Sequence, residues 1–416
     1  MAMRTSRLWE RQLIRRLWEA VGKPAVEVEL WDGEVCGVDR TRAVGRIIIR
    51  EPKMLRRLMW NPSLAFGEGY ATGRIEVEGS LVDVAASLLA GMLRAIPPDG
   101  RKPWRERLSR RRGHSLIESR ASVHHHYDLG NDFYRLWLDE QMVYTCAYFP
   151  RENMSLEQAQ IAKFDHICRK LRLRPGDRVV EAGCGWGGFA LHMARSYGVH
   201  VRACNLSKEQ IAYARRRAQD EDLTRLVEFV EADYRQLDGK YDVFVSVGML
   251  EHVGTEQYPA LGAVIDRLLT DNGRGLIHTI GRNVARSLDA WTERYIFPGA
   301  EPPSLKQMMD IFEPNGWSVL DVENLRLHYA ETCRAWLSRF EAHAGEVARM
   351  FDEQFVRMWR FYLASSTAAF LTGWLQLFQV VFARAQDNSI PRSREDIYQY
   401  PDRRSLHETL AASAQN

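Results

Sequence analysis

The segment Val179-Val180-Glu181-Ala182-Gly183-Cys184-Gly185-Trp186-Gly187-Gly188 closes an apolar run with a loop in which four of the last six residues are glycine. Such a loop joins a strand to a helix, because the backbone must turn sharply and approach a ligand with no Cβ in the way. Its surroundings narrow the fold further. Strand-like runs at 178–182, 199–204, 227–232, 241–247 and 275–280 alternate with helical stretches at 189–197, 208–219 and 258–269. The alternation predicts an α/β fold, a doubly wound parallel sheet with helices on both faces. A sheet of that kind binds its ligand at the carboxyl ends of its strands.

The chain has 416 residues, enough for two or three domains. Residues 1–97 hold short alternations such as Val26–Leu30 and Arg46–Ile49, turn-like Gly67, Gly69, Gly73 and Gly79, and a helical run Leu81–Leu93. They read as a smaller N-terminal α+β domain, for lipid docking or for homodimer formation. Pro97-Pro98-Asp99-Gly100 then opens a linker over 98–120. Its stretch Arg101–Gly113 carries seven Lys or Arg against one Glu, with Trp104 and Leu108 interleaved. A solvated linker and a contact with anionic lipid headgroups are both open; nucleic acid is disfavoured, since no recognition motif accompanies the charge. Residues 121–385 form the main domain, its last helices over the substrate site, and 386–416 a polar tail.

A net charge of +3 sets up no global field that selects nucleic acid. No stretch reaches the ~20 apolar residues of a membrane-spanning helix, and the N-terminus lacks the apolar core of a signal peptide. Cys36, Cys146, Cys168, Cys184, Cys204 and Cys333 form no CxxC pair, which fits reduced thiols. The expected location is cytoplasmic. His124-His125-His126 has no accompanying acid or cysteine set, so no metal is expected.

Gly183, Gly185 and Gly188 formally satisfy GxGxxG, which keeps a nicotinamide dinucleotide site open. That fingerprint also needs an acid about 20 residues on, at the end of strand two. Cys204-Asn205-Leu206-Ser207 stands there instead. The order acid-x-Gly-x-Gly-x-Gly, opened by Glu181, resembles motif I of class I methyltransferases, whose sheet is Rossmann-like and doubly wound. Asp233 follows strand three, where that class contacts adenine.

A closer resemblance runs in order through the main domain. It comprises His126–Asn131, Tyr144-Thr145-Cys146-Ala147-Tyr148-Phe149, Gly183–Gly188, Ser246–Gly254, Leu276–Gly281, Tyr295–Gly299 and Gln376–Phe382. These segments resemble the cyclopropane-fatty-acid synthase and mycolic acid cyclopropane synthase family. Gly67-Glu68-Gly69-Tyr70 is similar to its two-domain bacterial members. The resemblance implies an S-adenosylmethionine-dependent methyltransferase. Cofactor contacts would be Tyr144 and Thr145, then Glu181, Gly183, Cys184, Gly185, Trp186 and Gly187. Asn205, Leu206, Ser207 and Gln210 would lie on the ribose side, with Asp233 and Tyr234 at the adenine. A bicarbonate ion would be held by Cys146, Glu251, His278, the backbone of Ile280, and Tyr329.

The implied chemistry suits that set. An alkene attacks the sulfonium methyl and leaves a carbocation, so the site must exclude water and supply a base, and bicarbonate can take the proton. The implied substrate is a phospholipid with an unsaturated acyl chain, met by a peripheral enzyme on the inner face of the membrane. Ring closure gives a cyclopropane; loss of a proton from the chain instead gives a methylene branch, which a partner reductase could saturate. Taken singly, Cys146, His278 and Tyr329 would be ordinary core residues and Glu251 a solvated helix start. Two departures stand out: Asn205 where the family commonly has Thr, and Ala364-Ser365-Ser366-Thr367 where many members have a cysteine. A thiol nucleophile near 366 is therefore not expected. Replacing Arg107, Arg110, Arg111 and Arg112 with Gln should weaken sedimentation with anionic vesicles and flatten its salt dependence, with cofactor affinity unchanged; unaltered sedimentation would mark the segment as a linker.

Overall fold

The central strand β5 (Arg178–Ala182) is buried on both faces, with Val179, Val180 and Ala182 fully inaccessible, as a strand between parallel neighbours must be. In the computed structural model, which describes residues 5–38, 41–95 and 129–398, β5 pairs in parallel with β6 (His200–Asn205) and β8 (Tyr241–Val247). The sheet continues through β7 (Val227–Glu231), β9 (Leu269–Gly281), β10 (Trp317–Asn324) and β11 (Gln376–Arg384), in the order β10-β11-β9-β8-β5-β6-β7. Strand β11 runs antiparallel to both β9 and β10. The chain order thus reverses at β5, and the crevice at its carboxyl end is the place such sheets keep for ligands.

Smaller structure precedes this sheet. Helix α1 (Leu8–Ala20), strands β1 (Glu27–Glu29), β2 (Val35–Gly37), β3 (Gly45–Ile49) and β4 (Ile75–Gly79), and helices α2 (Lys53–Trp60), α3 (Pro62–Ala71) and α4 (Leu81–Ala95) form an α+β unit. Its sheet has the order β2-β1-β3-β4. After it come α5 (Asn131–Arg135), α6 (Leu156–Lys170), α7 (Gly188–Tyr197), α8 (Lys208–Asp220), α9 (Tyr258–Leu268), α10 (Ala290–Tyr295), α11 (Leu305–Phe312), α12 (Arg326–Ala342), α13 (Ala344–Met350), α14 (Glu353–Thr372) and α15 (Glu395–Tyr398).

Local chemistry explains the helix ends. Ser155 caps α6 through a capping box with Gln158, two otherwise orphaned donors satisfied at once. Ser207 caps α8 by accepting from the Gln210 N–H, and Gly198 ends α7 in the left-handed conformation at φ 64°. The helices after β10 enclose an aromatic core. Trp137 meets Trp336 edge-on at 5.7 Å, and Phe133 meets Trp359 at 5.0 Å, contacts that add about 0.5–1.5 kcal/mol each beyond burial.

Several sequence expectations change. Gly67 and Gly69 lie inside α3, not in turns: a Cβ on Gly67 would come within 2.2 Å of the Trp291 ring, and one on Gly69 within 2.8 Å of Ile75 and Met54. Both are glycine because another element packs on the helix there. Gly73 does sit in a turn, at φ 71°, whereas Gly79 is the last residue of β4, paired with Gly45. Strand β9 begins at Leu269, six residues before the apolar run at Gly275: Leu269 pairs with Tyr241, and the register shifts before pairing resumes at Arg274. Helix α6 ends at Lys170, before Pro175-Gly176. The linker 98–120, the run Arg101–Gly113, His124–Asp128 and residues 399–416 lie outside the described residues. Among the described residues no helix is long and apolar enough to cross a membrane, and no group of three His, Cys, Asp or Glu could hold a metal. The six cysteines are free thiols. Gly67→Val should cost about 1–3 kcal/mol through overpacking against Trp291, read as a lower denaturation midpoint; an unchanged midpoint would mean that α3 and α10 do not pack this way.

Candidate active site

Loops leaving the carboxyl ends of β5, β6, β7 and β8 enclose a cavity of about 350 Å³. Glu181, Gly183, Cys184, Gly185 and Trp186 line it from the first loop, and Asn205, Leu206 and Gln210 from the second. Asp233 and Tyr234 follow from the third. The glycine loop is anchored from two sides. Gly183 and Cys184 donate their N–H groups to the Cys204 carbonyl at 2.9 and 3.0 Å, and the Trp186 indole donates to Asn131 Oδ1 at 2.7 Å. Asn205 donates to Gln210 Oε1 at 2.6 Å and to the Gly185 carbonyl at 3.4 Å, so the departure from Thr at this position braces the loop.

Two expected cofactor residues stand back from the cavity. Ser207 is the α8 cap, and Gly187 starts α7 at φ 82°, where a Cβ would meet Phe229 at 2.6 Å and Ala214 at 2.8 Å. Both act on the loop's shape. The Asp233 carboxylate accepts a two-point contact from Arg235 at 2.7 and 2.8 Å. Gly185 is different: at φ 52° it has nothing within 4 Å of a built Cβ, because that space is the cavity. Gln210 Nε2 and Glu181 Oε2 are buried without a partner among the described residues, as expected of a cradle for a polar ligand.

A second, more enclosed cavity of about 170 Å³ lies beside the first. Its wall is mostly apolar and aromatic, including Trp291, Phe297, Trp336, Tyr362 and Phe370, with Ser365 and Ser366 from α14. Tyr144, Thr145, Gly248 and His252 line both cavities, so a single thickness of chain separates them.

The partition is held from α6. Gln160 donates to the Thr145 carbonyl at 2.9 Å, and Lys163 Nζ donates to Thr145 Oγ1 at 3.0 Å. Lys163, absent from the sequence-based candidates, also lines the first cavity. Burial lowers its pKa to about 8, offset in part by the Asp139 carboxylate, and raises that of Glu181 to about 8, offset in part by Lys163. A signal for it exists: Lys163 falls between Ala159 and Ile167 on one i, i+4 ridge of a buried helix face. Upstream, Asp139 accepts from the Val143 and Gln141 N–H groups at 2.8 and 3.0 Å and turns the chain through Met142, which has φ 57°.

Of the five residues expected at the bicarbonate, Glu251, Ile280 and Tyr329 line the second cavity. Cys146 and His278 line neither. The Cys146 thiol is fully buried and donates to the Ala147 carbonyl at 3.1 Å, and burial raises its pKa well above the ordinary thiol value. The Ile280 N–H donates to Glu251 Oε1 at 2.6 Å. Burial pushes Glu251 up to about 7. His278 is held neutral by burial; the Gln379 amide, 3.1 Å away, donates to its Nδ1, which leaves the ring proton on Nε2. Glu251 Oε2 and His278 Nε2 are buried without a partner among the described residues. Gln379 is the second contributor that sequence reasoning missed. Tyr329 stacks on Phe370 at 4.4 Å.

A family model described as mycolic acid cyclopropane synthetase matches residues 114–380, and one described as a domain of unknown function matches residues 13–91. A probable fatty acid methyltransferase of Pseudomonas putida is 37% identical, the match covering 90% of this chain and 96% of that protein. The cyclopropane-fatty-acyl-phospholipid synthase of Escherichia coli is 38% identical over 84% of this chain and 90% of its own. A solved mycolic acid cyclopropane synthase, complexed with SAH and CTAB, aligns with a TM-score of 0.60 at 32% identity, covering 64% of this chain and 98% of that one. A side chain at Gly185 would fill the first cavity and pay about 1–2 kcal/mol of left-handed backbone strain. Gly185→Val should therefore abolish S-adenosylmethionine binding in a titration; retained affinity would move the cofactor elsewhere.

Proposed function

The chain belongs to the mycolic acid cyclopropane synthetase family of S-adenosylmethionine-dependent methyltransferases, and on that footing we propose that it transfers a methyl(ene) group from S-adenosylmethionine to the double bond of an unsaturated phospholipid acyl chain, giving a cyclopropane fatty acid. The wall shared by the two cavities carries this reading: a methyl donor in the polar first cavity faces an apolar chain in the second across Tyr144, Thr145, Gly248 and His252. The name of the Escherichia coli relative and the SAH in the solved relative support the same pairing of substrates.

Each residue then has a task. The loop Glu181–Gly185, Gln210, Asp233 and Tyr234 orient the cofactor. The apolar wall excludes water, which would trap a cation on the chain as an alcohol. The stacked Tyr329 and Phe370 rings and Tyr362 present π faces suited to positive charge. Glu251, its Oε1 held by Ile280, keeps Oε2 free, and His278 offers an Nε2–H positioned by Gln379. Glu251 Oε2 and Tyr329, both on the wall of the second cavity, would hold a bicarbonate ion, with His278 two residues from Ile280 on β9 behind that wall, and the bound ion would supply the base that removes a proton from the alkylated chain. A pKa near 7 lets Glu251 carry a proton beside an anion, which a carboxylate of ordinary acidity would repel. Cys146 and Ile280, already hydrogen-bonded elsewhere, would shape the site around the ion.

A bilayer lipid is reached from the membrane surface, so the reading places the enzyme as a peripheral protein on the inner face, with Arg101–Arg112 as its anchor. A second reading, methyl transfer without ring closure and a partner reductase downstream, is favoured by the similarity to a probable fatty acid methyltransferase. Lipids from a host expressing the chain with methyl-labelled methionine separate the two: NMR distinguishes a ring methylene from a branch carbon. Unlabelled lipid, or tight NAD binding with no S-adenosylmethionine binding, would end both readings. Glu251→Gln and His278→Ala should each lower turnover by about 10²–10⁴ with cofactor affinity nearly intact; a matching loss of cofactor affinity would show that these residues serve the first cavity.

A further inference from the structure

The second cavity is not closed by the methyltransferase sheet and its helices alone. Leu89, from α4 of the N-terminal unit, is part of its wall, together with Leu288, Trp291, Ser366 and Ala369. We propose that the N-terminal unit completes the acyl cavity and that Leu89 is a specificity-determining residue that reads the lipid chain. The proposal rests on the acyl reading of this cavity.

Two further walls of the cavity are positioned by the same unit. Trp291, on α10, occupies the space that a side chain at Gly67 would take, and one turn on, the Tyr295 hydroxyl donates to Glu68 Oε1 at 2.8 Å. Helix α14, which supplies Tyr362, Ser365, Ser366 and Ala369, is clamped along the turns before the cavity. Phe361 lies between Phe66 at 5.5 Å and Trp291 at 4.7 Å. Arg357 donates to the Tyr70 carbonyl at 2.7 Å and to Glu76 at 3.1 Å, and its guanidinium sits 4.4 Å from the Tyr70 ring centre. Phe361, Ser365 and Ala369 follow one i, i+4 ridge, so the clamp and the cavity wall are turns of the same helix.

Scaffolding alone would not need an apolar side chain of α4 in the cavity. Leu89 is there, and Met92, three residues on and on the same side of α4, is 39% exposed. The α4 face that supplies Leu89 to the cavity thus carries an exposed apolar side chain one turn on, the direction from which we infer that a chain drawn from a lipid layer enters. The class of ligand is therefore an extended hydrocarbon chain whose outer part runs along α4.

Competition within one preparation tests this, because a product ratio does not depend on how much enzyme is folded. Vesicles of phosphatidylglycerol carrying equal palmitoleoyl and cis-vaccenoyl chains, which differ by two methylenes on the carboxyl side of the double bond, are incubated with the full-length enzyme and S-adenosylmethionine, and the ratio of alkylated chains is read by mass spectrometry. Leu89→Ala and Leu89→Trp should each move that ratio by about fourfold or more, the factor one buried methylene carries, while Leu89→Ile stays near wild type and S-adenosylmethionine affinity is unchanged in all three. Leu89→Ala carries the test should the larger Trp not fold. An unmoved ratio in active Leu89 variants would overturn the proposal. Ala369→Trp, deep in the same cavity, separates the two levels: if it suppresses alkylation while the Leu89 variants behave as wild type, only the role of Leu89 fails; if it leaves rate and ratio intact, the acyl reading of the cavity fails with it.

Discussion

Two of the residues shared by the cavity walls, Tyr144 and Thr145, open the segment Tyr144–Phe149, which belongs to no strand and whose backbone must still be satisfied in a buried setting. Side chains from distant helices meet that demand. Gln160 and Lys163 hold Thr145, Thr332 accepts the Ala147 N–H at 3.0 Å, and the His328 ring accepts the Phe149 N–H at 3.1 Å. The Tyr148 N–H donates to the Ala159 carbonyl at 3.0 Å. Because α6 and α12 supply these groups, the place of this segment beside the two cavities is set by how those helices pack.

Burial of ionisable groups is the second constraint. Lys163, Glu181, Glu251 and His278 lie within a region that excludes water, where an isolated charge costs several kcal/mol. Burial lowers Lys163 and raises Glu181, and it brings Glu251 and His278 toward neutrality. In such a setting each fixed dipole acts through a lower dielectric than in water. Groups poised this way belong with function more often than with stability.

The N-terminal unit and the main sheet share one packing system. Residues of α3 and α4 reach α10 and α14, and these two helices border the apolar cavity. A change at Gly67 or Arg357 would be transmitted through packed rings to the wall of the apolar cavity, since close-packed side chains pass on displacement with little compliance.

The parallel strands, the glycine loop and the family motifs were legible in the chain because each is a contiguous string whose meaning is local: alternation of apolar runs, glycine where φ turns positive, an acid at the strand end. Gly67 and Gly69 were misread as turns for the same reason, as nothing in the string shows that Trp291 and Ile75 press on that helix. Lys163 and Gln379 escaped because a polar residue within an apolar helix or strand looks like noise until its partner, Thr145 or His278, is brought to it from far along the chain. The sequence by itself determined the sheet, the cofactor loop and the kinds of residue at the site. Only the tertiary structure decided that Ile280 spends its N–H on Glu251, that Cys146 turns to its own backbone, and that Leu89 reaches the apolar cavity. Those choices follow from which helices meet, and burial rewards such meetings between residues that lie far apart in the chain.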